Sequence, residues 1–198
     1  MDRPTGERTV LWDRDPALHY KEGELQREWI TDGQLLHLDG HDQVASIQAA
    51  RWAKEVEMKV SLDVDKVQPG IEELLGLADF VIPTVEFVKA FTSQEDWKKG
   101  LKEMAHLVPG LLAVTRGREG AAVLYRGEIF EFEGITVETV DTTGAGDVFH
   151  GAFLYGLFQG KSLDFCFCLA NTAAALSCTR LGARTGILPL EKVLAALQ

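Results

Sequence analysis

The residues best suited to chemistry lie in Val140-Asp-Thr-Thr-Gly-Ala-Gly-Asp-Val-Phe149, where two glycines and a carboxylate run straight into an apolar stretch. Gly144 and Gly146 let the backbone turn tightly and approach a ligand with no Cβ in the way. Where such a loop opens a helix, the first N–H groups, here those of Ala145, Gly146 and Asp147, lack intrahelical acceptors. They converge on an anion with the positive end of the helix dipole behind them. The string reads as a phosphate seat. The same dipole would hold Asp147 ionised, facing the point where a phosphoryl group is attacked. A carboxylate placed there can take the proton of an incoming hydroxyl. The plainer reading is a helix start with a favourable first-turn charge and two turn glycines. A G-x-G-x-x-G dinucleotide fingerprint and the Lys-Ser/Thr pair of a P-loop are both missing.

Other chemistry-bearing groups are weaker signals. Thr115-Arg-Gly-Arg-Glu-Gly-Ala121 is a glycine turn leading into a hairpin, and Asn171 is a lone amide on an apolar helix. Asp39-Gly-His-Asp42 offers metal-ligand types but is better explained as a turn and helix cap. Asp63 and Asp65 stand just past a strand, at the carboxyl edge where open α/β sheets bind ligands, and read as solvated loop acids. His150, near Asp147 on the same helix, reads as packing or surface, and Arg180 and Arg184 as exposed loop arginines able to neutralise phosphate. Cys166, Cys168 and Cys178 share no C-x-x-C spacing and read as small buried hydrophobes with free thiols.

The chain has 198 residues, 46% of them hydrophobic, and a net charge of −10. That balance excludes a nucleic-acid or anionic-membrane surface, which needs clustered Lys and Arg. The stretch from Phe165 to Thr179 is too short to span hydrocarbon. The polar start lacks the apolar core of a secretory signal, so the expected location is cytoplasmic.

The elements that must position the seat follow from periodicity. Strands are expected at residues 8–12, 35–38, 58–62, 80–82 and 111–115. Helices are expected at 21–30, 43–56 with Val44, Ile47 and Trp52 near one face, and from Pro69-Gly70 to 77. One helix or a pair spans 85–107, Ser93 capping its second part with Asp96 three residues on. Strand, helix, strand with short connections implies right-handed crossovers and a parallel sheet. Residues 121–125 and 129–132 around Arg126-Gly127 form an antiparallel hairpin edge. Helices close the chain at 146–159, 162–178 and 190–197, the middle one apolar nearly all round and so buried on several sides.

The string from Asp141 to Phe149 resembles the second signature of the ribokinase-like sugar kinases, the PfkB family. Thr115, Gly117 and Gly120 are similar to that family's second nucleotide loop, and Asn171 to the asparagine bordering its adenine pocket. The resemblance implies a three-layer α/β/α fold and ATP as phosphoryl donor, with Mg²⁺ bridging its phosphates. It implies Asp147 as base, the Gly144, Ala145, Gly146 and Asp147 amides as anion hole, and Thr115, Gly117, Gly120, Thr142 and Asn171 at the nucleotide. The Ser177-Cys-Thr-Arg-Leu-Gly-Ala183 turn resembles a loop that, with Asp141 and Thr143, supplies oxygens to a monovalent cation, potassium. On that resemblance Ser177, Arg180 and Gly182 join the cation set. In the family Asp39 and His41 would also lie near the substrate cleft.

The chain departs from the family in two places. Motifs that hold the sugar in early strands are missing, so the expectation is a single domain incomplete at its N-terminus. Residues 1–33 would be a lid-like remnant, and residues 34–198 the nucleotide-binding and catalytic half. A fragment of a longer protein and a product that has lost its acceptor site both fit, and an exposed sheet edge predicts self-association or marginal stability. At Ile82-Pro-Thr-Val-Glu-Phe-Val-Lys89, Thr84 and Phe87 stand where the family has Asn-x-x-Glu ordering water around Mg²⁺. Glu86 is one position early and points about 100° away on a helix. The expected activity is transfer of the ATP γ-phosphate to a carbohydrate hydroxyl. A nucleotide-binding module without chemistry, and a kinase of a nucleoside or vitamin alcohol, are the alternatives.

Overall fold

A computed structural model describes residues 9, 11, 13, 15–21 and 23–197. The chain divides into two compact units. One comprises residues 13–115 and 122–130, the other residues 1–12, 116–121 and 131–198.

The first unit carries β1 (Leu35–Leu38), α1 (Gln43–Glu55), β2 (Lys59–Leu62), α2 (Ile71–Leu77), β3 (Phe80–Val81), α3 (Val85–Thr92), α4 (Trp97–Met104) and β4 (Leu111–Thr115). It also holds most of the hairpin β5 (Ala121–Tyr125) and β6 (Glu128–Phe132). The strands follow one another in the sheet in chain order. The first four are parallel, with Leu35 opposite Lys59, Ser61 opposite Phe80 and Phe80 opposite Leu111. Parallel strands need crossovers, which the intervening helices supply. All four strands therefore end at one edge, and Asp39, Asp63 and Thr115 lie there. Val60, Leu62, Val81 and Val114 are fully buried, as strands covered on both faces must be. Each such side chain contributes about 1.5–3 kcal/mol by leaving water.

Asp79 staples this sheet. Its backbone N–H donates to the Val60 carbonyl at 2.8 Å, and its own carbonyl accepts from the Leu111 amide at 2.8 Å. Its carboxylate accepts from the Val60 amide and from Lys54 and Lys59, all at 3.0 Å. Burial acts to raise its pKa, but the Val60 amide and the two lysines outweigh it and hold the carboxyl below its ordinary value of 3.8.

The second unit carries α5 (Ala145–Phe158), α6 (Leu163–Ser177) and α7 (Leu190–Ala195). Phe167 of α6 stacks on Phe132 at 4.5 Å between ring centroids and packs against Phe153 of α5 at 4.9 Å. Gly156 lets α5 and α6 meet closely, since a Cβ there would come within 2.9 Å of the Cys166 sulfur.

Several expectations are corrected. The helix expected at residues 21–30 is only a 3-10 turn at Arg27–Trp29, because a polar segment with Gly23 at φ 84° has no apolar face to dock. Helix α1 does not bury Val44, which is 66% exposed. It packs through Ser46, Ala49, Ala50 and Ala53, a small-residue face at the same helical spacing. Ser93 does not cap α4; it ends α3 in the left-handed region at φ 56°, and Asp96 caps α4 by accepting from the Lys98 amide. Cys168 is exposed, whereas Cys166 and Cys178 are buried, and burial pushes the Cys166 thiol up. The strand expected at residues 8–12 falls mostly outside the described residues. The remaining elements lie within two residues of their expected bounds, except that α4 ends at Met104, three residues before the expected 107.

Candidate functional site

Helix α5 begins where the glycine loop ends, as the sequence requires. Gly144 is its N-cap at φ 79°, a conformation that L side chains rarely adopt. A Cβ on Gly144 would lie 2.9 Å from the Ala183 carbonyl oxygen, so the residue is fixed by both conformation and space. The amides of Gly146 and Asp147 donate to nothing among the described residues, as expected for the first turn. Ala145 differs from expectation, because its N–H closes a turn onto the Thr142 carbonyl at 3.2 Å. The group of convergent free amides is thus narrower than the sequence suggested. Asp147 itself is exposed in the first turn of α5.

The loop before α5 is held by Asp141, which is 5% exposed. Its Oδ1 accepts from the Thr143 amide at 2.9 Å and the Thr143 hydroxyl at 2.6 Å. Its Oδ2 accepts from the Gly182 amide at 2.7 Å. The Val140 and Asp141 amides both donate to the Cys178 carbonyl, at 2.8 and 3.1 Å. Asp141, Thr143 and Gly182, expected to act together, therefore do meet. Ser177 and Arg180 are less involved: the Ser177 hydroxyl donates to Ala174 O at 2.7 Å, and Arg180 is exposed.

Asn171, Gly117 and Gly120, expected at the nucleotide, meet through a stretch not marked in the sequence. Asn171 is 6% exposed and donates both amide protons, to Phe132 O and Glu133 O, each at 3.1 Å. Gly120 sits so close to this stretch that a Cβ would lie 2.1 Å from Phe132 O. Gly117 and Gly120 are at φ 57° and 91°. Residues 132–134 thus link the Gly117–Gly120 turn to helix α6. Arg116 pairs with Glu131 beside this stretch, and neither residue was singled out from the sequence. Alternation along β6 would have marked Glu131 as a charge beside a partly buried neighbour, but its partner required knowledge of the hairpin. Thr115 lies in the other unit, where its amide donates to Pro83 O at 2.9 Å.

A cavity of about 630 Å³ lies within the second unit, its walls formed by α5, α6, α7 and the turn before α7. Asp147, Tyr155 and Arg184 are its polar side chains, and Val148, Leu169, Ala173, Ile187 and Leu188 make the rest largely apolar. His150 is 1% exposed and packs edge-on against Phe149, which settles its role as packing.

At the departure from the family pattern, the Thr84 hydroxyl accepts from the Phe87 amide at 3.1 Å and so caps α3. Phe87 is fully buried and stacks on Phe91. Glu86 is exposed. Asp42 caps α1 by accepting from the Ala45 amide at 3.2 Å, and Asp39 pairs with His41 at 3.3 Å. Among the described residues no group of three or more His, Cys, Asp or Glu side chains could hold a metal ion. Likewise no helix among them is long and apolar enough to cross a membrane.

The chain is similar to known proteins over most of its length. A ribokinase of Haemophilus influenzae is 32% identical over 155 residues, 76% of this chain and 51% of that protein. A ribokinase of Lactococcus lactis is 30% identical over 173 residues, 86% of this chain and 56% of that protein. The chain thus spans about half the length of these relatives. The structure of Arabidopsis thaliana ribokinase complexed with ribose and ATP superposes with a TM-score of 0.78 at 27% identity, covering 87% of this chain and 58% of that one. The fold is therefore ribokinase-like, with a mostly parallel sheet and an antiparallel hairpin. The family model for the pfkB family carbohydrate kinases matches residues 1–190, and the chain belongs to that family.

Proposed function

We propose that this chain forms the nucleotide-binding and phosphoryl-transfer part of an ATP-dependent carbohydrate kinase. One observation carries the reading: at the start of α5 the Gly146 and Asp147 amides have no acceptor among the described residues, and the Asp147 carboxylate is exposed on the same turn. Donors and base are then fixed to one rigid element.

In the proposed reaction, Asp147 takes the proton of an acceptor hydroxyl while that oxygen bonds to the γ-phosphorus. The bond from the γ-phosphorus to the β–γ bridging oxygen breaks, and ADP leaves. The Gly144–Asp147 turn, through its unengaged amides, holds the charge that develops on the phosphoryl oxygens. Thr142, Gly117, Gly120 and Asn171 form the nucleotide side. Because both Asn171 protons are donated to backbone carbonyls, only its Oδ1 is left to meet adenine, as an acceptor. When bound with the nucleotide, Mg²⁺ would neutralise charge on its phosphates. Thr84 and Phe87 cannot support it, one being a helix cap and the other core, so Mg²⁺ would arrive held by the nucleotide. The family resemblance makes Asp141, Thr143 and the 177–182 turn the residues that would hold a potassium ion, which would stiffen the loop that leads into α5.

The similarity to ribokinases supports a sugar hydroxyl as acceptor, with a nucleoside or vitamin alcohol as the alternative. A second reading, nucleotide binding without transfer, is favoured by the largely apolar cavity beside Asp147, which offers a polyhydroxylated sugar few partners. The deciding experiment measures ADP release from Mg-ATP with ribose, fructose and nucleosides, alongside calorimetric titration with Mg-ATP. Asp147→Ala should lower turnover by about 10²–10⁴ and leave nucleotide binding intact. Turnover that survives the substitution removes Asp147 as base. Binding without turnover on any acceptor selects the second reading.

A further inference from the structure

We propose that Arg116 and Glu131 form a positioning clamp that holds the Gly117–Gly120 turn in the shape that receives ATP. The inference rests on the reading of Gly117, Gly120 and Asn171 as nucleotide residues. The Arg116 side chain is 11% exposed although it sits on a loop. Its guanidinium pairs through Nη1 with the Glu131 carboxylate and donates through Nη2 to the Glu119 carbonyl at 3.0 Å. Its backbone N–H donates to Gly120 O at 2.8 Å, and the Gly120 amide donates to Gly117 O at 3.0 Å. The turn is thus wrapped around one arginine.

The turn buries little side chain of its own. Residues 117–119 are exposed, and a Cβ on Gly117 would meet nothing within 4 Å. Glu131 lies one residue before the stretch that Asn171 grips, so the clamp ties the glycine turn and the Asn171 amide to the same backbone. The planar fork serves the carboxylate and the carbonyl from fixed directions, whereas a lysine presents a rotatable point charge. A loop held so before the ligand arrives loses less freedom on binding.

The test is calorimetric Mg-ATP titration of the full chain and of Arg116→Gln, Glu131→Gln and the double exchange R116E/E131R, with thermal melting of each. Each single variant should bind Mg-ATP roughly tenfold more weakly, about the value of one hydrogen bond to a charged group. The exchange restores the ion pair but not the bond to the Glu119 carbonyl, so it should bind more tightly than either single variant without reaching wild type. Affinity unchanged in the single variants, whether or not melting shifts, overturns the clamp and leaves the kinase reading standing. An exchange no better than the single changes overturns the pairing. Failure of the unsubstituted chain to saturate with Mg-ATP overturns the nucleotide reading itself, and the clamp with it.

Discussion

Replacing Asp79 by alanine should lower the melting temperature markedly, although no chemistry is proposed there. Its side chain is 16% exposed and accepts from one buried amide and two lysines. Val60 is fully buried, so truncation leaves its N–H without the side-chain acceptor, at a cost of about 1–3 kcal/mol. Lys54 and Lys59 are 41% and 55% exposed, so each pair adds only about 0.2–1 kcal/mol after solvent screening. The expected loss is about 2–4 kcal/mol. In a chain of this size that is a fall of roughly 5–12 °C. Asp79→Asn keeps an acceptor for Val60 and removes the charge, so it should cost about 1 kcal/mol. The carboxyl titrates below 3.8 in the folded protein. A depressed pKa contributes stability that is complete above the unfolded value and lost as pH falls through the folded one. The gap between wild type and Asp79→Asn should therefore be constant above about pH 5 and close below 3.8. Thermal melting by circular dichroism across a pH series measures both. An alanine variant that melts with wild type, or an Asn gap undiminished at about pH 3, refutes the assignment.

Two further outcomes are expected. Gly144→Ala forces a Cβ to within 2.9 Å of Ala183 O at φ 79°. It should cost about 1–2 kcal/mol in melting and weaken Mg-ATP binding more than tenfold, and unchanged affinity by calorimetry would remove this turn from the anion seat. Phe87→Glu, which installs the family's carboxylate, should cost at least about 3 kcal/mol because the site is core, whereas Thr84→Asn should be nearly neutral because asparagine also caps helices. Melting of the two variants decides this, and a Phe87→Glu protein as stable as wild type would show that the position is not core.

The elements that repeat a simple period were legible in the sequence. Leu111–Thr115 and Ala121–Tyr125 are strands with the bounds their composition implies, and Asp42 and Ser162 cap the helices they precede. What escaped depends on three-dimensional neighbours. Val44 satisfies the apolar period of α1 as well as Ala49 does, and only docking on the sheet selects the small residues. Asp79 becomes a staple only once β2 and β3 are paired in parallel with Ser61 opposite Phe80, which sets the Val60 amide and Lys59 beside it. Asn171 was legible as a residue worth naming, but its grip on Phe132 and Glu133 spans 39 and 38 residues of sequence.

The same distinction bears on the two halves of the proposed reaction. The proposed anion seat lies within residues 141–147, so short-range rules of glycine conformation and helix ends were enough to point to it. The structure adds what fixes the seat: Asp141 bonded to Gly182, and Ala183 closing against Gly144. An acceptor site has no such local code, since it is assembled from side chains far apart in sequence. Here the space beside Asp147 has Tyr155 and Arg184 as its other polar side chains, so its walls offer a polyhydroxylated acceptor few partners. In the proposed reaction, acceptor choice is therefore where transfer and mere nucleotide binding part.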